Sequence, residues 1–237
     1  MISPLQRPAA QPDLVPPLEN GDRLDRLEFE RRYHAMPHVQ KAELIEGVVY
    51  MPSPVRHGRH SNPHFNLIGW LGSYTAATPG IEGGDNGSLR LDMDNEPQPD
   101  AYLLVLPSHG GRVILDEEDY VAGGPELVAE VSASSVSIDL KGKKRAYGRN
   151  GVLEYVVWRV EDRQIDWFIL REGQYERLSP DSAGVYRSEV FPGLWLDATA
   201  LVQGDLSVVF HVVQQGLASP EHAAFAAKLQ HKASNPS

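Results

Sequence analysis

Cysteine is absent from all 237 residues. That absence removes disulfide frameworks, thiolate zinc sites, iron–sulfur clusters and cysteine nucleophiles in one step. Also missing is any apolar run near the ~20 residues needed to cross a bilayer. The opening Met-Ile-Ser-Pro-Leu-Gln-Arg lacks the apolar stretch of a secretory signal, so a cytoplasmic protein is expected. Positive charge is scarce: 22 Lys and Arg stand against 32 Asp and Glu, a net of −10. Taken whole, that balance speaks against a nucleic-acid partner. What is present is ordinary for a globular chain, with 41% hydrophobic and 23% charged residues. The length exceeds the ~150 residues of a common domain without compelling two.

The charge is unevenly spread. Residues 81–130 hold twelve acids and two arginines, which accounts for the whole imbalance. Residues 131–150 then carry five basic residues and a single acid, Asp139. An acidic strip followed by a basic one can pair a metal site with a phosphate-binding face; it can equally be plain surface heterogeneity.

Residues 1–22 read as a disordered or extended arm, with five prolines among the first 20 positions. Leu24, Leu27, Phe29 and Tyr33 fit a short amphipathic helix ending before Pro37. Leu44 to Met51 reads as two strands around the turn dipeptide Glu46-Gly47. Pro63 to Tyr74 shows helical spacing, with Asn62 as its cap. Gly80 to Gly87 reads as turns, Ala101–Leu106 and Leu127–Val131 as strands, and Val136 to Arg149 as a basic helix closed by Asn150-Gly151. Tyr155–Val160, Gln164–Leu170 and Tyr175–Leu178 read as strands, and Ser219 to Lys232 as a helix. The expected division is an arm at 1–22, a body at 23–210 and a C-terminal helix and tail at 211–237. Intermingled strands and helices around one core indicate an α/β or α+β fold, a mixed sheet flanked by helices.

Two carboxylates sit where they are costly. Asp100 opens the apolar strand Ala-Tyr-Leu-Leu-Val-Leu, and Glu130 lies inside Leu-Val-Ala-Glu-Val. A carboxylate in a buried strand needs a partner, a hydrogen bond or a metal. On neighbouring strands the two could share one hard cation such as magnesium. In the basic helix, Asp139, Lys143 and Tyr147 fall on one face and can bring an ammonium group to that site. A metal with a lysine is equipment for activating water against a phosphodiester. Unrelated salt bridges would satisfy the same residues, and spacing alone leaves both readings open. His57, His60 and His64 have tolerable zinc spacing, but Pro63 interrupts the helix that would align them, so phosphate-facing or solvated histidines are expected.

The run from Glu43 through Leu-Ile-Glu-Gly-Val-Val-Tyr-Met-Pro-Ser-Pro-Val-Arg-His57, then Pro99-Asp100, Leu-Val-Ala-Glu130-Val, Asp139…Lys143…Tyr147, Gly151-Val-Leu-Glu-Tyr155 and Phe191-Pro-Gly-Leu-Trp-Leu196 resembles the Uma2 family of restriction-endonuclease-like proteins, in the PD-(D/E)XK nuclease superfamily. The resemblance implies a restriction-endonuclease-like central mixed sheet flanked by helices. It implies a magnesium- or manganese-dependent endonuclease on which Asp100 and Glu130 hold the metal, with the Val131 carbonyl and Glu43 as further contacts. The superfamily lysine usually follows the glutamate by two residues; here that position is Ser132, and Lys143 in the next helix matches the displaced lysine. Two departures stand out: Glu130-Val-Ser-Ala-Ser-Ser135 lacks the family's proline and is one residue short, and Arg159 stands where an acid is common.

The reading is a metal-dependent nuclease acting on nucleic acid, DNA foremost. Arg56, His57, Arg59, Lys141, Lys144, Arg145 and Arg149 would meet its phosphates. No membrane partner is expected. A homodimer is expected from the resemblance and from apolar surface at Phe225 and Leu229. The alternative is a catalytically silent member of the fold serving as an oligomeric interaction module.

Overall fold

The structure, a computed structural model, describes residues 15–51 and 56–235. Asp25 accepts the Glu28 N–H and starts α1 (Arg26–His34). Glu46 and Gly47, both at positive φ, fold β1 (Glu43–Ile45) back onto β2 (Val48–Tyr50). Leu18, Phe29, Ala42, Leu44 and Val49 close a small apolar cluster around this hairpin. The described part of the proline-rich arm therefore lies against the body, with the Gly21 N–H donating to the Val49 carbonyl at 2.8 Å. Residues 1–14 of the expected arm lie outside the described residues.

The histidine segment departs from expectation. A π-helical turn (His57–Ser61) runs directly into α2 (Asn62–Thr75), and Pro63 does not break it. Ser61 and Asn62 donate five residues back, to the Arg56 and His57 carbonyls. That wider turn carries the chain into Pro63, which sits in the first α-helical turn, where its missing N–H costs nothing. His60 and His64 end one above the other, ring centroids 5.6 Å apart.

A six-stranded mixed sheet forms the centre, in the order β11 (Gln174–Arg177), β10 (Gln164–Arg171), β9 (Glu154–Arg159), β8 (Leu127–Ser132), β5 (Ala101–Val105) and β3 (Ile81–Gly84). Within this sheet β8 and β9 pair in parallel and the other neighbours antiparallel, while β4 (Leu89–Arg90), β7 (Val121–Ala122) and β6 (Ile114–Leu115) make a separate small sheet. A parallel pair requires a crossover. Here it is α3 (Val136–Ile138), a second π-helical turn (Asp139–Lys143) and α4 (Lys144–Arg149), following one another without a break. β3 forms where turns were expected. Its Gly84 is covered by the Tyr102 ring, and a Cβ there would lie 2.0 Å from that ring. The glycines that look like turn residues instead make room for an aromatic side chain.

Alternation along β8 sorts the two faces. Leu127, Ala129 and Val131 face the larger core, with Trp70 and Leu71 of α2. Val128 faces the smaller one, with Tyr147 of α4 and Tyr155. The larger core also takes in α5 (Ala198–Gln203), α6 (Leu206–Leu217) and α7 (Pro220–Ser234) through Leu201, Val209, Val213 and Leu229. The boundary at residue 210 thus falls inside α6. Leu229 is buried and Phe225 packs against Phe191, so the surface that suggested a dimer is covered by the chain's own core. Among the described residues, no helix is long and apolar enough to cross a membrane.

The hairpin is tied to the segment that carries a second buried acid, Glu96. Glu96 backs onto Leu44 through reciprocal backbone hydrogen bonds, and its side chain is buried against Glu30. Burial first, then the Glu30 carboxylate, pushes the Glu96 carboxyl from 4.5 up to about 9. Glu96 binds a proton more tightly folded than unfolded, so its contribution is complete below pH 4.5 and is lost as pH rises through about 9. Glu96→Gln keeps a donor toward Glu30 without that proton. The parent should lose about 3–4 kcal/mol more than the variant between pH 6 and pH 9. Urea unfolding at the two pH values checks this, and parallel losses would sink it.

Candidate active site

Two strands set the acids side by side. Ala101 of β5 pairs with Ala129 of β8, so the next step of the antiparallel register brings Asp100 opposite Glu130 on the same face. Both are buried, each 3% exposed. One oxygen of Asp100, Oδ2, accepts the Val131 N–H at 2.7 Å. The other, Oδ1, lies 3.2 Å from His60 Nε2 and 3.7 Å from Lys41 Nζ. Burial would raise the Asp100 carboxyl, but the His60 hydrogen bond, Lys41 and the Val131 N–H outweigh it and hold it at about 2. Asp100 is a carboxylate at any ordinary pH.

Glu130 lies in different surroundings. Its Oε1 accepts Lys143 Nζ at 2.9 Å and the Tyr147 hydroxyl at 2.8 Å. Burial pushes its carboxyl up to about 8 against the pull of Lys143. Lys143 itself is buried in the π-helical turn, with Nζ 2.8 Å from Glu43 Oε1 and 3.8 Å from Asp139 Oδ1. Burial works against its charge, yet Glu130, Glu43 and Asp139 keep it firmly protonated. Glu43 also accepts the Gln98 N–H at 2.8 Å, which ties β1 to the segment before Asp100. Asp139 takes the Ser135 hydroxyl on Oδ2 at 2.5 Å, while its buried Oδ1 has no hydrogen-bond partner among the described residues. Ser132, where the superfamily lysine usually stands, is fully buried, and its hydroxyl meets Ser135 at 3.4 Å.

Around Asp100 are residues that sequence reasoning did not assign to the site. His60, whose spacing with His57 and His64 is tolerable for zinc but which is expected to face phosphate or solvent, sits on the Asp100 carboxylate. His64 Nε2 lies 2.8 Å from the Asp100 carbonyl and 3.1 Å from Asp85 Oδ1. The i, i+4 spacing of the two histidines is visible in the sequence, although Pro63 lies between them. Lys41 carries its own signal, since it precedes Glu43 by two residues and so shares its side of an extended chain.

The basic residues expected to meet phosphates divide into groups. Arg56 and His57 are exposed beside the histidine turn, and Arg59 there pairs with Glu161 at 3.1 Å. Lys141 and Arg145 line a cleft of about 320 Å³ with Arg23, Tyr50 and Ser137, although Arg145 also pairs with Glu46 at 2.5 Å. Lys144 lies 3.5 Å above the Phe168 ring, and Arg149 is held by Asp92 at 3.2 Å.

The donor chemistry suits a hard cation. Asp100, Glu130 and Glu43 offer carboxylate oxygens, and magnesium takes one or two carboxylates with waters rather than a closed protein cage. Among the described residues no three His, Asp or Glu side chains form such a cage. The ammonium of Lys143 stands between Glu43 and Glu130 instead. The residues fit an ion held by few protein ligands, and the Asp139 oxygen, which makes no hydrogen bond among the described residues and lies 3.8 Å from Lys143 Nζ, is close by.

A family model described as "Uma2: Putative restriction endonuclease" matches residues 27–199. The chain belongs to the Uma2 family. Among solved structures it is similar to "a putative nuclease belonging to DUF820" from Anabaena variabilis, with a TM-score of 0.51 and 14% identity. That likeness covers 73% of this chain and 97% of the other. At such identity it shows the fold alone, a nuclease-type mixed sheet flanked by helices. Comparison with curated proteins finds no match. Glu43, Asp100, Glu130 and Lys143 all fall inside the Uma2 span, whereas α6 and α7 lie beyond it.

Proposed function

We propose that this Uma2 chain is a divalent-metal-dependent endonuclease, hydrolysing phosphodiester bonds of nucleic acid, DNA foremost, with magnesium or manganese as its cation. One observation carries the reading: buried Asp100, just ahead of β5, and buried Glu130 of β8 follow directly on the Ala101–Ala129 pair of the register, with a buried ammonium group on Glu130. Asp100, Glu130 and the Val131 carbonyl would hold the cation, with Glu43 as an outer contact. When bound, such an ion supplies a water of lowered pKa and offsets charge on the phosphate. Lys143 draws Glu43 and Glu130 together and contributes positive charge where the transition state gains negative charge. The Tyr147 hydroxyl fixes the Glu130 carboxylate. Arg56, His57, Arg59, Lys141 and Arg145 offer phosphate contacts that position a strand without reading its sequence. Lys144 and Arg149 join them by leaving Phe168 and Asp92. Two copies paired as a cytoplasmic homodimer would present one site to each strand of a duplex.

The test is direct. Supercoiled plasmid and a linear duplex are incubated with the protein and Mg²⁺ or Mn²⁺, with EDTA as the control, while calorimetry follows Mn²⁺ uptake. Metal-dependent cleavage blocked by EDTA is expected. Neither uptake nor cleavage would favour the second reading, a silent interaction module. Its supporting observation is the same ammonium: Lys143 already neutralises Glu43 and Glu130, so the fold can hold together without a metal.

A further inference from the structure

Lys143 and Lys41 both reach the site, and they differ in freedom. Lys143 is locked inside, its side chain 5% exposed and its ammonium enclosed by Glu43, Glu130 and Asp139. A charge so held cannot follow a substrate without stranding buried carboxylates. Lys41 lies at the rim, its side chain 25% exposed. It donates to Asn86 Oδ1 at 3.0 Å and stands 3.7 Å from Asp100 Oδ1, beyond direct hydrogen bonding. Its ammonium is close to the acid proposed to hold the metal, partly exposed and loosely tied.

Asp100 Oδ1 is thus covered by two cationic or donor groups from different elements, Lys41 ahead of β1 and His60 from the π-helical turn. A cation taking that oxygen would repel the ammonium at this distance. The nearest place for the displaced charge is the incoming anion. Lys41 is two residues from Glu43, so the hairpin that brings Glu43 to Lys143 carries Lys41 to the opposite acid.

We propose that Lys41 is a further catalytic residue beside Lys143: its ammonium leaves Asp100 to bind a non-bridging oxygen of the scissile phosphate, while the Lys143 ammonium stays between Glu43 and Glu130. The inference rests on the nuclease reading above. In the free protein Lys41 lowers the cost of keeping Asp100 charged; in the loaded site it holds the phosphate and offsets charge on it.

The variants Lys41→Met and Lys41→Arg are compared with Asp100→Asn and the parent in three measurements. These are cleavage in Mg²⁺, calorimetric Mn²⁺ uptake, and duplex binding in Ca²⁺ against NaCl concentration. Lys41→Met should slow cleavage about 100-fold, as expected for a group stabilising transition-state charge. It should leave Mn²⁺ uptake as tight as in the parent or tighter, because a competing cation is gone. Its salt slope should flatten by about 0.9, the loss of one phosphate contact. Lys41→Arg should restore the slope and part of the rate. Cleavage within twofold of the parent, an unchanged slope, or Mn²⁺ uptake weakened tenfold in Lys41→Met overturns the role. If Asp100→Asn alone loses activity, the inference falls and the nuclease reading stands. If the parent shows no metal-dependent cleavage, both fall.

Discussion

Lys143→Met is expected to destabilise the protein by about 3–5 kcal/mol at pH 8, the usual consequence of removing one partner of a buried ion pair. Methionine fills much of the same volume but leaves Glu43, Glu130 and Asp139 without their shared ammonium. The loss should depend on pH. Burial already raises the Glu130 and Asp139 carboxyls, and removing the cation raises them further. Groups that bind protons more tightly when folded contribute stability below their unfolded pKa and lose it as pH climbs. Variant and parent should therefore converge toward pH 4.5 and diverge most above pH 8, where Glu130 gives up its proton. Urea unfolding at pH 5 and pH 8 decides the matter. A deficit that is equal at both, or below about 1 kcal/mol at pH 8, would show that the carboxylates find other partners.

Asp100→Asn tests the opposite acid, and its largest effect is on chemistry. Cleavage should fall about 1000-fold, equivalent to about 4 kcal/mol of transition-state stabilisation, and Mn²⁺ uptake should weaken by at least tenfold. The fold should survive. The amide oxygen can still accept the Val131 N–H, but its NH₂ group must then face His60 and Lys41, a mismatch costing about 1 kcal/mol. Because Asp100 is held at about 2, the acid limb of the parent's rate profile belongs to another group. In the free protein burial pushes the Glu130 carboxyl up to about 8, so it must release a proton to take the cation, and activity at limiting metal should climb between pH 6 and pH 8. A rate independent of pH across that range would contradict the assignment. A variant that unfolds at the parent's midpoint and cleaves at the parent's rate would remove Asp100 from the site.

Much of this arrangement is visible in the chain itself. Asp100 stands out at the head of one apolar strand and Glu130 inside another, and strand alternation then places each on a definite face. The i, i+4, i+8 spacing of Asp139, Lys143 and Tyr147 places them on one side of the crossover helix, although a π-helical turn passes through it. The Glu46-Gly47 turn marks the hairpin. Other elements were hidden by local appearance. Ile81–Gly84 looks like a turn until Tyr102 covers its glycine, and α6 carries Val208, Val209, Val212 and Val213, β-branched residues that favour strands on their own. Helix packing against α2 overrides that preference.

What the sequence determined by itself is therefore the fold class, the two strand carboxylates and the face that presents Lys143. All three follow from short-range periodicity, which any window of the chain contains. What only the tertiary structure decided is who meets whom. Lys143 takes Glu43 from a hairpin 100 positions earlier, Asp100 takes His60 and Lys41 from two separate elements, and the helix arginines spend their charge on Glu46 and Asp92. Periodicity says which side of an element a residue occupies. The partner of a buried charge is chosen by whichever distant group the packed core brings within about 4 Å, because only there is the attraction strong enough to offset desolvation.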